Sequence, residues 1–278
     1  MPRQLIADLH LHSTHSDGEL SPSELVQHAA TARLKAVALT DHDAISGIAA
    51  ARETGHRLGV EVIAGCELSA YEEDTELHIL GLYVDDAPDS ALGKLLTQIR
   101  GERPARVLKI AEKLRELGVT IRNEDLQEEI GTSESPGRAH VAAVLVKIKA
   151  VETMGEAFAR YLGLKARAYV AKARYSPNQI IGAIHGAGGV AVLAHPGQYR
   201  QLSLSTLMKK YPLDGIEIFH HSHPASDRDI FLRMAQSQGW LITGGSDYHG
   251  PHRKPGIEVG SNGVTQEELN RVMSRLKR

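Results

Sequence analysis

The chain has a single cysteine, Cys66, so no internal disulfide can staple it and a reducing compartment is its expected setting. That thiol reads as a small buried filler, not a nucleophile. There is no excess of either charge: Lys and Arg number 32 against 34 Asp and Glu, a formal net charge of -2. Such a balance lacks the basic footprint needed to grip a long nucleic acid, so no long-duplex binding is expected and any polyanion must be short or held locally. No apolar run is long enough to span a bilayer, and MPRQLIADLH has neither the apolar core nor the cleavage site of a secretory signal. The expectation is a cytoplasmic protein with no membrane contact. Internal repeats, low-complexity tracts, Gly-rich nucleophile elbows and phosphate loops are also missing.

What is present is enough chain for one large core. Its 278 residues, 42% hydrophobic, sit near the ~250 residues of a closed α/β barrel. Short runs rich in Val, Ile and Leu, at residues 4–9, 35–39, 61–64, 77–84, 189–193, 215–219 and 241–243, alternate with segments of helical period. That alternation predicts βα units around a parallel sheet, with seven strands in place of eight. Helix starts are legible in Ser21-Pro22-Ser23-Glu24, Ser176-Pro177-Asn178-Gln179 and Thr265-Gln266-Glu267-Glu268, each with a capping residue three positions before Glu or Gln.

From residue 91 to 171 the alternation stops and only helical pattern remains. The expected organisation is a barrel in two parts, residues 1–95 and 173–278, with a helical insertion at 96–172 capping one mouth. Pro104 within the first inserted helix predicts a kink or a break.

Chemistry concentrates where strands end. In DLHLHSTHSDG, residues 8–18, side chains two apart on a strand face the same way, so His10 and His12 form a matched pair. TDHD brings His42 to the end of the second strand, GCELS brings Glu67 to the end of the third, and His78 lies early in the fourth. AHP adds His195, GSDYH adds Asp247 and His249, and the first loop adds Asp17. Active sites of α/β barrels sit at the C-terminal ends of the strands, so these residues are expected to converge. Six histidines and three carboxylates are more donors than one cation takes, and they are of the types that bind borderline divalent metals. More than one metal ion is expected. With no side-chain nucleophile in evidence, the predicted catalyst is a water activated between cations roughly 3.5–4 Å apart.

In order and spacing, DLHLHSTHSDG, TDHD, GCELS, His78, AHPG and GSDYH resemble the PHP (polymerase and histidinol phosphatase) metallohydrolases. Within that family the likeness is to the bacterial nucleoside 3',5'-bisphosphate phosphatases, also described as 5'-to-3' exoribonucleases, and it runs on through RGERPAR, GRAH and RYLGLKARAYV in the insertion. The resemblance implies a distorted seven-stranded βα barrel with three divalent ions, usually manganese, with zinc or iron as alternatives. It assigns His10, His12, Glu67 and Asp247 to the first ion, Glu67, His78 and His195 to the second, and Asp17, His42 and His249 to the third. His15 is a further neighbour, because some relatives use a histidine from this loop. Asp8 and Asp41 are expected either to orient imidazoles or to cap turns at strand ends.

Substrate choice is expected from the insertion. Arg100, Arg103 and Arg106 recur every three residues on one helical face. A charged helix face of this kind is ordinarily solvated; the resemblance makes Arg103, Arg106, Arg138 and His140 the expected contacts to a phosphate that is bound and not cut. The implied substrates are a nucleoside 3',5'-bisphosphate or a short 5'-phosphorylated RNA. The alternatives are a phosphomonoesterase of the histidinol-phosphatase type and a non-catalytic metal-bound interaction domain. His220, His221 and His223 read as solvated loop residues near the rim, His28, His56 and His185 as surface or packing residues, and Trp240 as packing.

Overall fold

The computed structural model describes residues 3–199 and 201–276. Seven strands form one mixed sheet in chain order: β1 (Ala7–Leu11), β2 (Ala36–Leu39), β3 (Glu61–Glu72), β4 (Thr75–Leu82), β5 (Val190–Leu193), β6 (Gly215–Phe219) and β7 (Leu241–Gly244). The parallel pairs β1–β2, β2–β3, β5–β6 and β6–β7 follow the expected βα pattern, but β4 is antiparallel to both neighbours. The cause lies in β3, which continues through GCELS to Glu72 instead of stopping at Ala64. Only two residues then separate it from β4, and so short a connection can only fold the chain back. Glu73 makes the turn with φ 51. The strand edges meet beyond β7: Asp247 N donates to His10 O at 2.9 Å and His12 N to Tyr248 O at 3.0 Å. The residues after β7 thus supply the backbone hydrogen bonds to β1.

On the barrel, α1 (Pro22–Thr31) and α2 (Ile48–Leu58) follow the first two strands, while α3 (Ala91–Glu116) opens the helical segment. That segment continues with α4 (Asn123–Ile130), α5 (Arg138–Lys147), α6 (Met154–Ala157) and a π-helical turn at Phe158–Leu162. The barrel resumes with α7 (Pro177–Gly186), followed by α8 (Leu204–Lys210), α9 (Ala225–Gln238) and α10 (Gln266–Arg275). The capping boxes at Ser21, Ser176 and Thr265 open α1, α7 and α10 as the sequence predicts.

Helix α3 passes through Pro104 unbroken. Pro104 sits on the exposed face, where water can take the carbonyl that loses its intrahelical donor. The apolar side of α3 serves two cores. Leu92, Leu96 and Ile99 pack with the barrel, whereas Val107, Ile110, Ala111 and Leu114 pack with Val141, Leu145 and Leu162 in a separate cluster. Arg103 and Arg106 lie at the changeover, which sets them at the seam between barrel and helices.

Candidate metal centre

Glu67 is the hub. Strand period two puts Glu67, Ser69 and Tyr71 of β3 on one face, and the register pairs Glu67 with Leu80, Ser69 with His78 and Tyr71 with Glu76. Glu67 is 1% exposed, and five imidazoles surround it. Its Oε2 lies 3.3 Å from His10 Nε2, 3.2 Å from His12 Nε2 and 3.1 Å from His42 Nδ1. Its Oε1 lies 2.9 Å from His78 Nδ1 and 3.1 Å from His195 Nε2. Asp247 Oδ1 joins the same group at 3.5 Å from His10 Nε2 and 3.3 Å from His12 Nε2. On the outer side, Asp17 Oδ1 is 3.4 Å from His249 Nε2 and 4.0 Å from His42 Nε2. All nine donors singled out in the sequence meet here. His15 does not; its Nδ1 bonds Ser46 Oγ at 2.7 Å.

The donor set fits divalent cations. Three overlapping groups, His10 with His12 and Glu67, His42 with Glu67 and His78, and His12 with Asp17, His42 and His249, and a fourth, His220 with His221 and Asp247, each hold their donor atoms within 4.8 Å of one another. His10 Nε2, His12 Nε2 and Asp17 Oδ1 are buried without a hydrogen-bond partner, an arrangement buried polar atoms rarely keep unless an ion takes them. Ring orientation agrees. His10 Nδ1 is 3.0 Å from Glu217 Oε1, His195 Nδ1 is 3.2 Å from the Tyr199 hydroxyl, and His249 Nδ1 is 2.9 Å from Asp247 O, so in each ring the other nitrogen faces the cluster. Burial alone would raise Glu67, Asp17 and Asp247, yet the neighbouring cations hold all three well below the usual carboxylate range. Burial would likewise lower the imidazoles; the carboxylates instead push His12 and His78 up to about 9 and His10 well above its ordinary value.

Backbone strain gathers at the same place. Asp43, His195 and Asp247 adopt left-handed φ of 51, 30 and 55, a conformation that side chains keep only where the surroundings fix it. Gly245 has to be glycine for a different reason: a Cβ there would lie 2.3 Å from His10 Cβ.

Asp8 bonds no imidazole, and Asp41 reaches one only through Ser16, whose Oγ lies 3.5 Å from His12 Nδ1. Asp8 accepts from His10 N, Ser246 N and Oγ, and Gly260 N; Asp41 accepts from Ser13 N and Oγ and from Ser16 Oγ. Both tie loops to strand ends. The carboxylate that orients a ring is Glu217 of β6, fully buried and unmarked in the sequence reading except as part of an apolar strand. Nor are the histidines after β6 solvated. His220 is fully buried with Nε2 3.1 Å from Asp247 Oδ2, His223 donates Nδ1 to Ile218 O at 2.8 Å and accepts at Nε2 from Gly197 N at 3.0 Å, and His221 Nδ1 is 3.1 Å from Ser246 O. Lys254 also pairs with Asp247 Oδ2.

A cavity of about 190 Å³ opens from the cluster toward the helical segment. Asp17, His42 and His78 line one wall; Arg103, Arg106, Arg138 and Lys172 line the other. The expected arginines differ in how free they are. Arg103 is committed to Asp43, through Nε at 3.0 Å and a second contact from Nη2, and to Pro136 O at 3.2 Å. Arg106 donates Nε to Val170 O at 2.9 Å, but its buried Nη2 has no partner. Arg138 reaches Glu76 Oε2 at 3.3 Å. Arg100 lies on the seam, 3.3 Å from Glu134, away from the cavity. His140 is buried behind the wall, accepting from Gly137 N at 3.2 Å, and does not line it. Lys172, in coil before α7, had no periodic signal to announce it.

A sheet that gathers imidazoles and carboxylates at one rim, beneath a basic cavity, defines a metal-dependent hydrolase of phosphoesters. The chain belongs to the PHP family: the PHP domain matches residues 8–185. It is 35% identical over 260 residues to a 5'-3' exoribonuclease of Haemophilus influenzae, covering 92% of this chain and 93% of that one. A 3',5'-nucleoside bisphosphate phosphatase of Chromobacterium violaceum is also 35% identical, with 91% and 90% covered. So is a phosphoribosyl 1,2-cyclic phosphate 1,2-diphosphodiesterase of Eggerthella lenta, with 88% and 95% covered. Among solved structures, a metal-dependent phosphoesterase from Bifidobacterium adolescentis superposes with a TM-score of 0.90 at 31% identity, covering 99% of this chain and 98% of that one. The protein is a PHP-type metal-dependent phosphoesterase, a hydrolase of phosphoric ester bonds.

Proposed function

We propose that the chain removes the 3'-phosphate of nucleoside 3',5'-bisphosphates, leaving 5'-monophosphates, and cuts nucleotides one at a time from the 5' end of short RNA. One observation carries this reading: a single cavity presents candidate metal ligands on one wall and, on the other, four cations opposed by only two carboxylates, with Arg106 Nη2 unpartnered. A substrate with two phosphoryl groups spans such a cavity, with one group at the metals and the other held uncut. Relatives of equal identity are named for a bisphosphate, RNA and a ribosyl cyclic phosphate. Overall likeness therefore does not choose among them; the basic wall supports a substrate with a second, uncut phosphoryl group.

The ions we assign are three, with manganese first, on the ligand sets His10, His12, Glu67 and Asp247; Glu67, His78 and His195; and Asp17, His42 and His249. When bound, such ions supply an acidified water and neutralise phosphoryl oxygens. The chain's residues do the rest. Glu217 fixes the His10 ring, Arg106 Nη2 offers a buried donor to the non-reacting phosphate, and Arg138 and Lys172 add charge beside it. A manganese-supplemented assay of adenosine 3',5'-bisphosphate, histidinol phosphate and a short 5'-phosphorylated RNA tests this. The first and third turn over faster than the second; preference for histidinol phosphate, or no turnover of the first and third, overturns the reading.

A further inference from the structure

Glu76 occupies an unusual position. It stands opposite Tyr71 across the β3–β4 hairpin and two residues before His78, on the same face, so one side chain separates the metal cluster from the basic wall. Its Oε1 accepts from Lys172 Nζ at 2.6 Å and lies 3.6 Å from His78 Nε2, while its Oε2 accepts from Arg138 Nη2 at 3.3 Å. Lys172 is steadied by Ser69 Oγ at 2.8 Å. Around this carboxylate the buried Arg106 Nη2 and the Tyr71 hydroxyl have no hydrogen-bond partner. A site with two idle buried donors and two cations already sharing one internal carboxylate is built for an anion that replaces that carboxylate.

We propose that Glu76, clamped between Arg138 and Lys172, is an intramolecular competitor for the non-reacting phosphate, there to let the product leave. The inference rests on the bisphosphate reading. Its product, a 5'-monophosphate, keeps the very phosphate the basic wall holds. Arg103, Arg106, Arg138 and Lys172 are opposed by two carboxylates, Asp43 and Glu76, which leaves two positive charges for a terminal phosphate. Such a phosphate carries nearly two negative charges at neutral pH. Without Glu76 the excess grows to three, and substrate and product alike bind more tightly. When the product departs, the carboxylate returns to Arg138 and Lys172, so neither cation is left unpaired.

The competing view is that Glu76 merely scaffolds Arg138, Lys172 and His78, and the two views differ in sign. In manganese-loaded protein, binding of adenosine 5'-monophosphate is measured by calorimetry for wild type, Glu76→Gln and Glu76→Ala. Both variants bind the monophosphate about tenfold more tightly. With the 3',5'-bisphosphate, KM and kcat fall together as release becomes limiting. Equal or weaker monophosphate binding at wild-type metal content overturns the proposal, as does loss of manganese from both variants, which would make Glu76 a support for His78. Arg106→Ala separates this from the underlying reading: if that change leaves monophosphate binding by the parent protein intact, the phosphate is not on the basic wall, and the reading and the proposal fall together.

Discussion

His10 holds a carboxylate at each ring nitrogen, Glu217 Oε1 at 3.0 Å from Nδ1 and Glu67 Oε2 at 3.3 Å from Nε2. The second Glu217 oxygen accepts from His195 N at 2.9 Å, so one buried residue sets both a ring and a strand end. Partners of this kind fix the tautomer and raise the basicity of the ligating nitrogen. Glu217→Gln preserves shape but can present its amide hydrogen to His10 and favour the wrong tautomer. Manganese affinity is expected to fall about 10–100-fold, read by metal titration of the purified protein, with the fold intact by circular dichroism. Unchanged affinity would show that Glu217 is a buried charge without a role at the cluster.

Much of this site was legible because metal ligands come as local clusters with period two, and the barrel carries strand ends to one rim. His10 and His12, or Asp247 and His249, announce themselves before any tertiary contact is known. Glu217 does not. It is one charge inside the apolar run GIEIF, and its only signal is that a carboxylate in a buried strand has to be paired. Glu76 is hidden for another reason: its place follows from the β3–β4 hairpin, which a third strand ending at residue 64 does not form, while Lys172 lies in coil and carries no period. The antiparallel β4 was missed with it.

Metal uptake is expected to release protons. Burial would lower His10, His12 and His78, but the surrounding carboxylates hold His10 well above its ordinary value and the other two at about 9. In metal-free protein at neutral pH these rings carry protons that a cation has to displace. Apparent manganese affinity therefore rises with pH from about 6.5 toward 9, and calorimetry in buffers of different ionisation enthalpy reports protons set free. A pH-independent affinity would contradict the arrangement.

Arg103 and Arg106, three residues apart on α3, should fail in different ways. Arg103 is 8% exposed and its partner Asp43 2% exposed, so Arg103→Ala strands a buried carboxylate. The expected loss is about 3–5 kcal/mol of stability, measured by denaturant unfolding. Arg106 has a spare donor and a backbone bond that water can replace. Arg106→Ala is expected to raise KM for the 3',5'-bisphosphate about 10–100-fold with a much smaller loss of stability. The reverse pattern would make Arg103 the substrate contact.

His140 gives the helical segment an acid limit. Its ring is 2% exposed at the start of α5, where its Nδ1 accepts from Gly137 N. Burial, with Arg253 and Arg103 adding to it against Asp17, lowers its pKa to about 4. Between that value and the ordinary 6.5 the unfolded chain binds the proton and the folded one does not. Stability is therefore full above about pH 6.5 and lost as pH falls toward 4, by at most on the order of 3 kcal/mol from this group. His140→Gln keeps an acceptor for Gly137 N and removes the titration. Unfolding midpoints of the two proteins, compared from pH 7 down to 4.5, should converge or cross in favour of the variant, because only the parent has to bury a proton acceptor that acid would charge. Curves that stay parallel over that range would place the acid sensitivity elsewhere.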